Sequence, residues 1–80
     1  MKHFFFDLTT TDQSLYDYQG DVFSNSLSAM EFAQETARML KYSLSDDWTG
    51  WILEVRNAEG RKFFSLPVKA DQADGLSPVL

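Results

Sequence analysis

One amphipathic segment near the middle of the chain constrains the fold more than any other feature. From Leu27 to Leu44, apolar residues recur at steps of three and four, the spacing of one face of a helix. These residues are Met30, Ala33, Ala37, Leu40 and Leu44. The segments before and after it are short, and they alternate apolar with polar residues as half-buried strands do. The sequence therefore predicts a single helix with strands on both sides.

The flanking strands are separated by residues that favour turns. We predict strands over four segments: 3–8, 15–18, 51–56 and 61–68. Asp17 to Gly20 forms a turn before the helix, and Asn57 to Gly60 joins the last two strands. The expected fold class is α+β: a three- to four-stranded antiparallel sheet with one amphipathic helix packed on one face, in the order β-β-α-β-β. Residues 1–68 form a single domain, and residues 69–80 are predicted to be a flexible tail.

The start of the helix carries capping signals. Ser28 and Glu31 have the spacing of a capping box, in which each side chain accepts a hydrogen bond from the backbone N–H of the other residue. Leu27 and Phe32 then occupy the positions of a hydrophobic staple. Ser26 is an alternative cap two residues earlier, so the first residue of the helix is left open by that much.

The register of the last two strands has two solutions. A three-residue loop with Gly60 as a bulge places Phe63 and Ser65 beside the apolar residues of the preceding strand. A four-residue loop places Phe64 and Leu66 there instead. The second solution buries more apolar surface, and we therefore expect it.

The composition argues against several classes of function. The formal net charge is −5 and the seven Lys and Arg residues are scattered, so we expect no binding to nucleic acid. The chain has no cysteine, which removes disulfides, thiolate metal sites and thiol catalysis. No apolar run approaches the roughly 18 residues that a membrane span needs, and the N-terminus does not resemble a signal peptide. We expect a cytoplasmic protein with no cofactor and no membrane partner.

The sheet face away from the helix is the first candidate site. One helix covers one face, and alternation assigns these residues to it: Phe4, Phe6, Leu8, Trp51, Leu53, Val55, Phe64 and Leu66. The opposite face then receives Phe5, Ile52 and Phe63, together with Glu54 and Arg56. Three large apolar side chains on one exposed face are typical of a contact surface. We therefore predict a non-enzymatic interaction or regulatory module that self-associates or binds a protein partner through this face.

A pocket walled by aromatic side chains is the alternative. Trp48, Trp51, Tyr16 and Tyr18 would surround a small cation or polar ligand, in a small-molecule-binding protein or a minor enzyme. The competing interpretation is that the two tryptophans close the core at the end of the helix. We assign no catalytic residue and no metal ligand, because a metal site needs several convergent ligands and His3 is the single histidine.

Several short motifs follow one another in a definite order. They are Phe4-Phe5-Phe6, Asp17 with Gly20, an Ala-rich helix, Gly50-Trp51 with Val55, Gly60-Arg61 and Leu66-Pro67. This order resembles a family of small bacterial domains of unknown function, found in soil and root-nodule bacteria, whose first strand is Tyr-Phe-Phe-His-like. The resemblance covers roughly residues 3–68, and the chain departs from it at Asp7, where the family has His. It implies the same fold and no particular activity.

Overall fold

The structure is an α+β fold of one helix and five strands. A computed structural model describes residues 1–69. Its elements are β1 (Lys2–Thr9), β2 (Ser14–Leu15), β3 (Asp21–Phe23), α1 (Ser26–Lys41), β4 (Ile52–Asn57) and β5 (Lys62–Pro67). The predicted class, one helix packed against an antiparallel sheet, is confirmed, with one strand more than the predicted maximum. Apart from Lys69, the predicted tail lies outside the described residues.

The sheet is antiparallel, and β1 lies inside it. The strand order is β2-β1-β4-β5, and β3 also pairs with β1. Phe4 lies opposite Asn57 of β4 and opposite Asp21 of β3, so β3 borders β1 on the same side as β2. The additional strand β3 has three residues, too few for an alternating pattern to be recognised in the sequence.

The β4–β5 hairpin has the predicted register but reaches it by a different route. The paired residues are Leu53 with Leu66, Val55 with Phe64 and Arg56 with Lys62. The Asn57 N–H donates to the Arg61 carbonyl, so the loop has three residues, and Phe63 is an extra residue that forms a bulge. The ring centroid of Phe63 lies 5.6 Å from that of the buried Phe4. The expectation that Phe63 faces away from the helix is therefore wrong, because the bulge turns its side chain to the helix side.

Helix α1 begins after an asparagine cap and is shorter than predicted. Asn25 has an extended backbone, and its side-chain oxygen accepts a hydrogen bond from the Ser28 N–H at 2.9 Å. The predicted caps at Ser28 and Ser26 are wrong, since Asn25 supplies the same kind of short acceptor one residue earlier. The helix ends at Lys41, and Leu44, predicted as the last residue of the apolar stripe, is fully exposed.

The hydrophobic core lies between α1 and the sheet. The helix contributes three buried alanines, Ala29, Ala33 and Ala37, whose small side chains let it lie close to the strands. The other buried apolar residues are Phe4, Leu53, Val55 and Val68. Half-buried residues pack around them: Phe6, Leu8, Phe23, Leu40, Trp48, Trp51, Phe64 and Leu66. All eight residues predicted for the covered face belong to one of these two groups.

Candidate functional site on the uncovered sheet face

The sheet face opposite α1, called here the uncovered face, carries the densest set of polar side-chain contacts within residues 1–69. Strand alternation and register place ten residues of β1, β4 and β5 on it: His3, Phe5, Asp7 and Thr9 of β1, Ile52, Glu54 and Arg56 of β4, and Lys62, Ser65 and Pro67 of β5. Of the predicted contact residues, Phe5, Ile52, Glu54 and Arg56 are among them, and Phe63 is not. The predicted apolar patch is therefore smaller, and charged side chains interrupt it.

Arg56 is held in one position from three directions. Its Nε donates to one carboxylate oxygen of Asp7 at 2.7 Å, and its Nη2 donates to the other at 3.3 Å. Nη2 also donates to the Asp17 carbonyl at 2.9 Å, and the guanidinium lies 4.6 Å from the ring centroid of Phe5. The pKa of Arg56 is raised, first by the hydrogen bond to Asp7 and further by the negative charges around it. A bidentate, stacked guanidinium of this kind has little rotational freedom.

Asp7 is the anion on which this arrangement depends. Its side chain has no accessible surface, and it accepts a third hydrogen bond, from the Asp17 N–H at 2.9 Å. A buried carboxylate without its cation carries a large desolvation penalty. Asp7 therefore serves to hold Arg56 and Asp17 rather than to meet a ligand in solvent.

The segment between β2 and β3 folds back onto the sheet through Asp17. The Asp17 carboxylate accepts hydrogen bonds from the N–H groups of Phe6, Gln19 and Gly20. Partial burial acts to raise the pKa of Asp17, but these N–H groups and the charge of Arg56 outweigh it and lower the pKa below its ordinary value. β2 and β3 pair with the two ends of β1 and leave its middle unpaired on that side. There the Phe6 N–H donates to the Asp17 carboxylate instead of to a strand.

His3 and Gly20 complete the attachment of this segment. The His3 Nε2 donates to the Gln19 carbonyl at 2.8 Å, and the imidazole stacks on the Phe5 ring with centroids 4.7 Å apart. Gly20 has a φ of +70°, and a Cβ there would lie 2.6 Å from His3 Nε2 and from the Phe4 carbonyl oxygen. The turn therefore needs glycine, both for its left-handed backbone and for its close approach to β1.

Two exposed tyrosines stand at the border of this face. Tyr16 is 54% exposed and Tyr18 is 87% exposed, with ring centroids 6.4 Å apart. Both tyrosines flank Asp17 in the chain, and the Asp17 carbonyl accepts a hydrogen bond from Arg56 Nη2. The ion pair with Glu54, at 3.0 Å, raises the pKa of Lys62. The tyrosines therefore belong to the segment that Arg56 holds against the sheet.

In both ion pairs of the uncovered face, the carboxylate lies deeper than the cation. The two carboxylates are the less exposed partners: Asp7 is 0% exposed against 22% for Arg56, and Glu54 is 21% exposed against 58% for Lys62. Within each pair, solvent therefore meets the cation before it meets the carboxylate. The order is unexpected for a chain with a net charge of −5.

The predicted aromatic pocket is not assembled. Trp48 and Trp51 contact each other edge to face, with ring centroids 5.3 Å apart, and pack against the core on the helix side. Tyr16 and Tyr18 flank Asp17, whose carbonyl contacts Arg56 of the uncovered face. The interpretation that the tryptophans close the core agrees with their packing. The buried Trp48 Nε1 has no acceptor within residues 1–69.

Sequence reasoning missed Asp17 and His3 as parts of this site. The Asp17 to Gly20 turn was recognisable, but its contacts run to residues ten or more positions away. Residues 1–69 contain no group of three or more His, Cys, Asp or Glu side chains arranged to hold a metal ion. No helix in the same range has the length and hydropathy needed to cross a membrane.

Comparison with known proteins identifies a family whose description states no activity. The model of the family described as Domain of unknown function (DUF6894) matches residues 3–69. No curated protein and no solved structure gives a significant match. The function therefore has to be inferred from the geometry of the chain itself.

Proposed function

The chain belongs to the DUF6894 family of domains of unknown function, and from the geometry of the uncovered face we propose that it is a non-enzymatic protein-interaction module. The observation that supports this most is the pair of exposed tyrosines, Tyr16 and Tyr18, on either side of Asp17, whose carbonyl contacts the immobilised Arg56. Tyrosine and arginine contribute disproportionately to binding at protein interfaces. An arginine already fixed in place loses little conformational entropy when a partner binds.

The chemistry of the face favours a partner rich in carboxylates or carbonyl oxygens. The exposed groups are donors: the Arg56 and Lys62 cations and the two tyrosine hydroxyls. Nη1 of Arg56 has no acceptor within residues 1–69. Complementary charge raises the association rate and selects among partners more than it raises affinity. We therefore expect an acidic protein segment as the partner.

A non-enzymatic role agrees with how the titratable groups are engaged. His3, the one histidine, donates its Nε2 proton to a backbone carbonyl. Asp7 is inaccessible and paired with Arg56. Groups held in this way are poorly placed to exchange protons with a bound substrate.

The face is a better candidate than the sheet edges. Val68 donates its N–H to the Trp51 carbonyl across the end of the β4–β5 ladder. Because backbone groups alternate along a strand, those of Ser65 and Pro67 point away from β4 toward the open edge. Pro67 has no N–H to donate there. The Phe63 bulge interrupts the same edge. Bulges and edge prolines are devices that oppose strand addition, and the opposite edge consists of the very short β2 and β3.

Site-specific photo-crosslinking tests the proposal. A benzophenone amino acid is placed at Tyr18 and, as a matched control, at Leu44, which is fully exposed but away from the face. In native cells we expect a discrete adduct with another protein from position 18 and none from position 44. Lys62→Glu, which reverses an exposed charge of the uncovered face, should reduce the yield of that adduct. Equal labelling from both positions, or an adduct that Lys62→Glu does not change, would contradict the proposal.

A further inference from the structure

The outer surface of α1 is a second unpartnered face, on the opposite side of the molecule. The fully buried side chains of the helix are alanines, and several of its larger apolar residues stay exposed. Of the eleven exposed large hydrophobic residues within residues 1–69, four belong to this helix or its C-cap: Leu27, Phe32, Met39 and Tyr42. An apolar surface gathered on a single element is a common mark of association.

Part of this surface is already rigid. The Phe32 ring contacts the rings of Phe6 and Phe23, with centroids 5.1 and 5.4 Å away. These contacts fix the orientation of Phe32 while 42% of the residue stays exposed. A partner docking on α1 would therefore meet a preformed ridge of the helix.

The charges on the outer surface of α1 change sign along its length. Glu31 and Glu35 precede Arg38 and Lys41, and the two basic residues occupy the last turn. Within the chain, Arg38 already pairs with Glu35 at 2.9 Å, and both side chains are more than half exposed. A second copy running antiparallel would place acidic residues against basic ones, whereas a parallel copy would align like charges.

A two-fold axis near the middle of the helix pairs one acidic residue with one basic residue and brings the apolar ends of the two helices together. Counting residues from such an axis, Glu31 lies opposite Arg38 of the second copy, and Leu27 lies opposite Tyr42 of the second copy. Because the same contacts are repeated by symmetry, each occurs twice in an isologous interface. The self-complementary order of charges is what specifies a second copy rather than another protein.

We propose that this chain forms a two-fold symmetric dimer through the outer surface of α1, with the two helices antiparallel. The dimer leaves both uncovered faces free on its outer sides. It does not rest on the interaction proposed for the uncovered face, and either can fail without the other. If both hold, each assembly presents two copies of the partner-binding face, and binding to a multivalent partner gains from the high local concentration.

Light scattering on a sizing column is the first test, made over a tenfold concentration range at low salt. We expect the mass to rise from 9.2 kDa toward twice that value. Glu31→Arg alone and Arg38→Glu alone should each keep the chain monomeric. Glu31→Arg combined with Arg38→Glu should restore the dimer, because the exchange re-creates opposite charges across the axis. A monomer at every concentration, or a dimer indifferent to the single reversals, would overturn the inference.

Cysteine pairing tests the antiparallel geometry, and the natural chain has no cysteine to interfere. A mixture of the Leu27→Cys and Tyr42→Cys variants should form a mixed disulfide under mild oxidation. Leu27→Cys by itself should not crosslink at a comparable rate, because the two copies of residue 27 would be about 22 Å apart. Rapid self-crosslinking of Leu27→Cys would indicate a parallel arrangement and reject the geometry.

A variant of the other face separates the two proposals. Tyr18→Ala should leave the mass unchanged, since Tyr18 follows Asp17, whose carbonyl contacts Arg56 on the uncovered face. If Tyr18→Ala abolished the dimer while Glu31→Arg did not, self-association would use the uncovered face, and the helix-mediated dimer would be wrong.

Discussion

The two faces of one sheet are stabilised by opposite means. On the covered face, Leu53 and Val55 are inaccessible because apolar side chains and three helix alanines fill the space around them. On the uncovered face, Asp7 is equally inaccessible, but a guanidinium and a backbone N–H surround it. The covered face depends on apolar side chains that fill the available volume, and the uncovered face depends on the pairing of Asp7 with Arg56. Loss of Arg56 should therefore destabilise the domain as strongly as loss of core packing does, although Arg56 lies outside the core.

The largest effect that we expect comes from Arg56→Ala. Removing the cation leaves the Asp7 carboxylate buried without its partner, which typically costs about 3–5 kcal/mol of unfolding free energy. For an 80-residue domain this approaches the whole stability. Urea unfolding followed by tryptophan fluorescence measures the change.

Replacing both members of the pair shows whether the unpaired charge causes the loss of stability. Asp7→Leu together with Arg56→Leu removes the charge as well as its partner, and such replacements are often neutral or stabilising. We expect the double variant to unfold at a much higher urea concentration than Arg56→Ala. A double variant as unstable as Arg56→Ala would mean that hydrogen-bond geometry, rather than an unpaired charge, stabilises this face.

On the covered face, the corresponding test is a substitution that adds volume to the core. Ala33→Leu forces extra methylene groups into the contact between α1 and the sheet, and overpacking of this kind typically costs about 1–3 kcal/mol. Gln34→Leu is the matched control, because residue 34 is the exposed neighbour on the same helix. Thermal unfolding followed by circular dichroism should show a lower Tm for Ala33→Leu alone.

The attachment of the β2–β3 segment is tested at Gly20. Gly20→Ala places a Cβ in a left-handed backbone conformation, which costs about 1–2 kcal/mol before its contact with His3 is counted. Gly60→Ala is a useful comparison, since residue 60 has a similar positive φ but nothing within 4 Å of the added Cβ. Gly20→Ala should destabilise the domain more than Gly60→Ala does, and equal losses would show that the close approach to β1 is unimportant.

The smallest effect is a pH dependence that comes from Asp17. Its folded pKa is below the ordinary value of 3.8, so the ionised carboxylate stabilises the fold above that pH. The contribution should disappear as the pH falls from 3.8 through the lower folded pKa. We expect about 1 kcal/mol or less, because Asp17 is only partly buried and solvent screens its charge.

Asp17→Asn isolates this contribution. The difference in unfolding free energy between the natural chain and this variant should be constant above pH 5 or so and shrink on acidification. Urea titrations at several pH values measure it. A difference that grows as the pH falls would mean that the folded pKa of Asp17 is raised instead of lowered.

Much of the fold follows from local sequence, and much of the site does not. The helix, the alternation of β1 and the pairing of Phe64 and Leu66 with β4 were predictable, because each depends on a repeat within a few residues. The Asn25 cap was missed although its residue type is a favoured one, since Ser26 and Ser28 offered equally good signals nearby. The Phe63 bulge was missed because an unpaired residue leaves no periodic mark.

The class of fold, the eight residues of the covered face and the acidic, cysteine-free character of the chain all follow from the amino-acid sequence. These properties depend on composition and on short-range periodicity, which are present before the chain folds. The pairing of Asp7 with Arg56, 49 residues away, and the position of Asp17 beside β1 depend on the folded arrangement of distant segments. Contacts of this kind form only after distant strands have aligned. The residues next to an aspartate in a strand do not indicate which distant side chain it will contact.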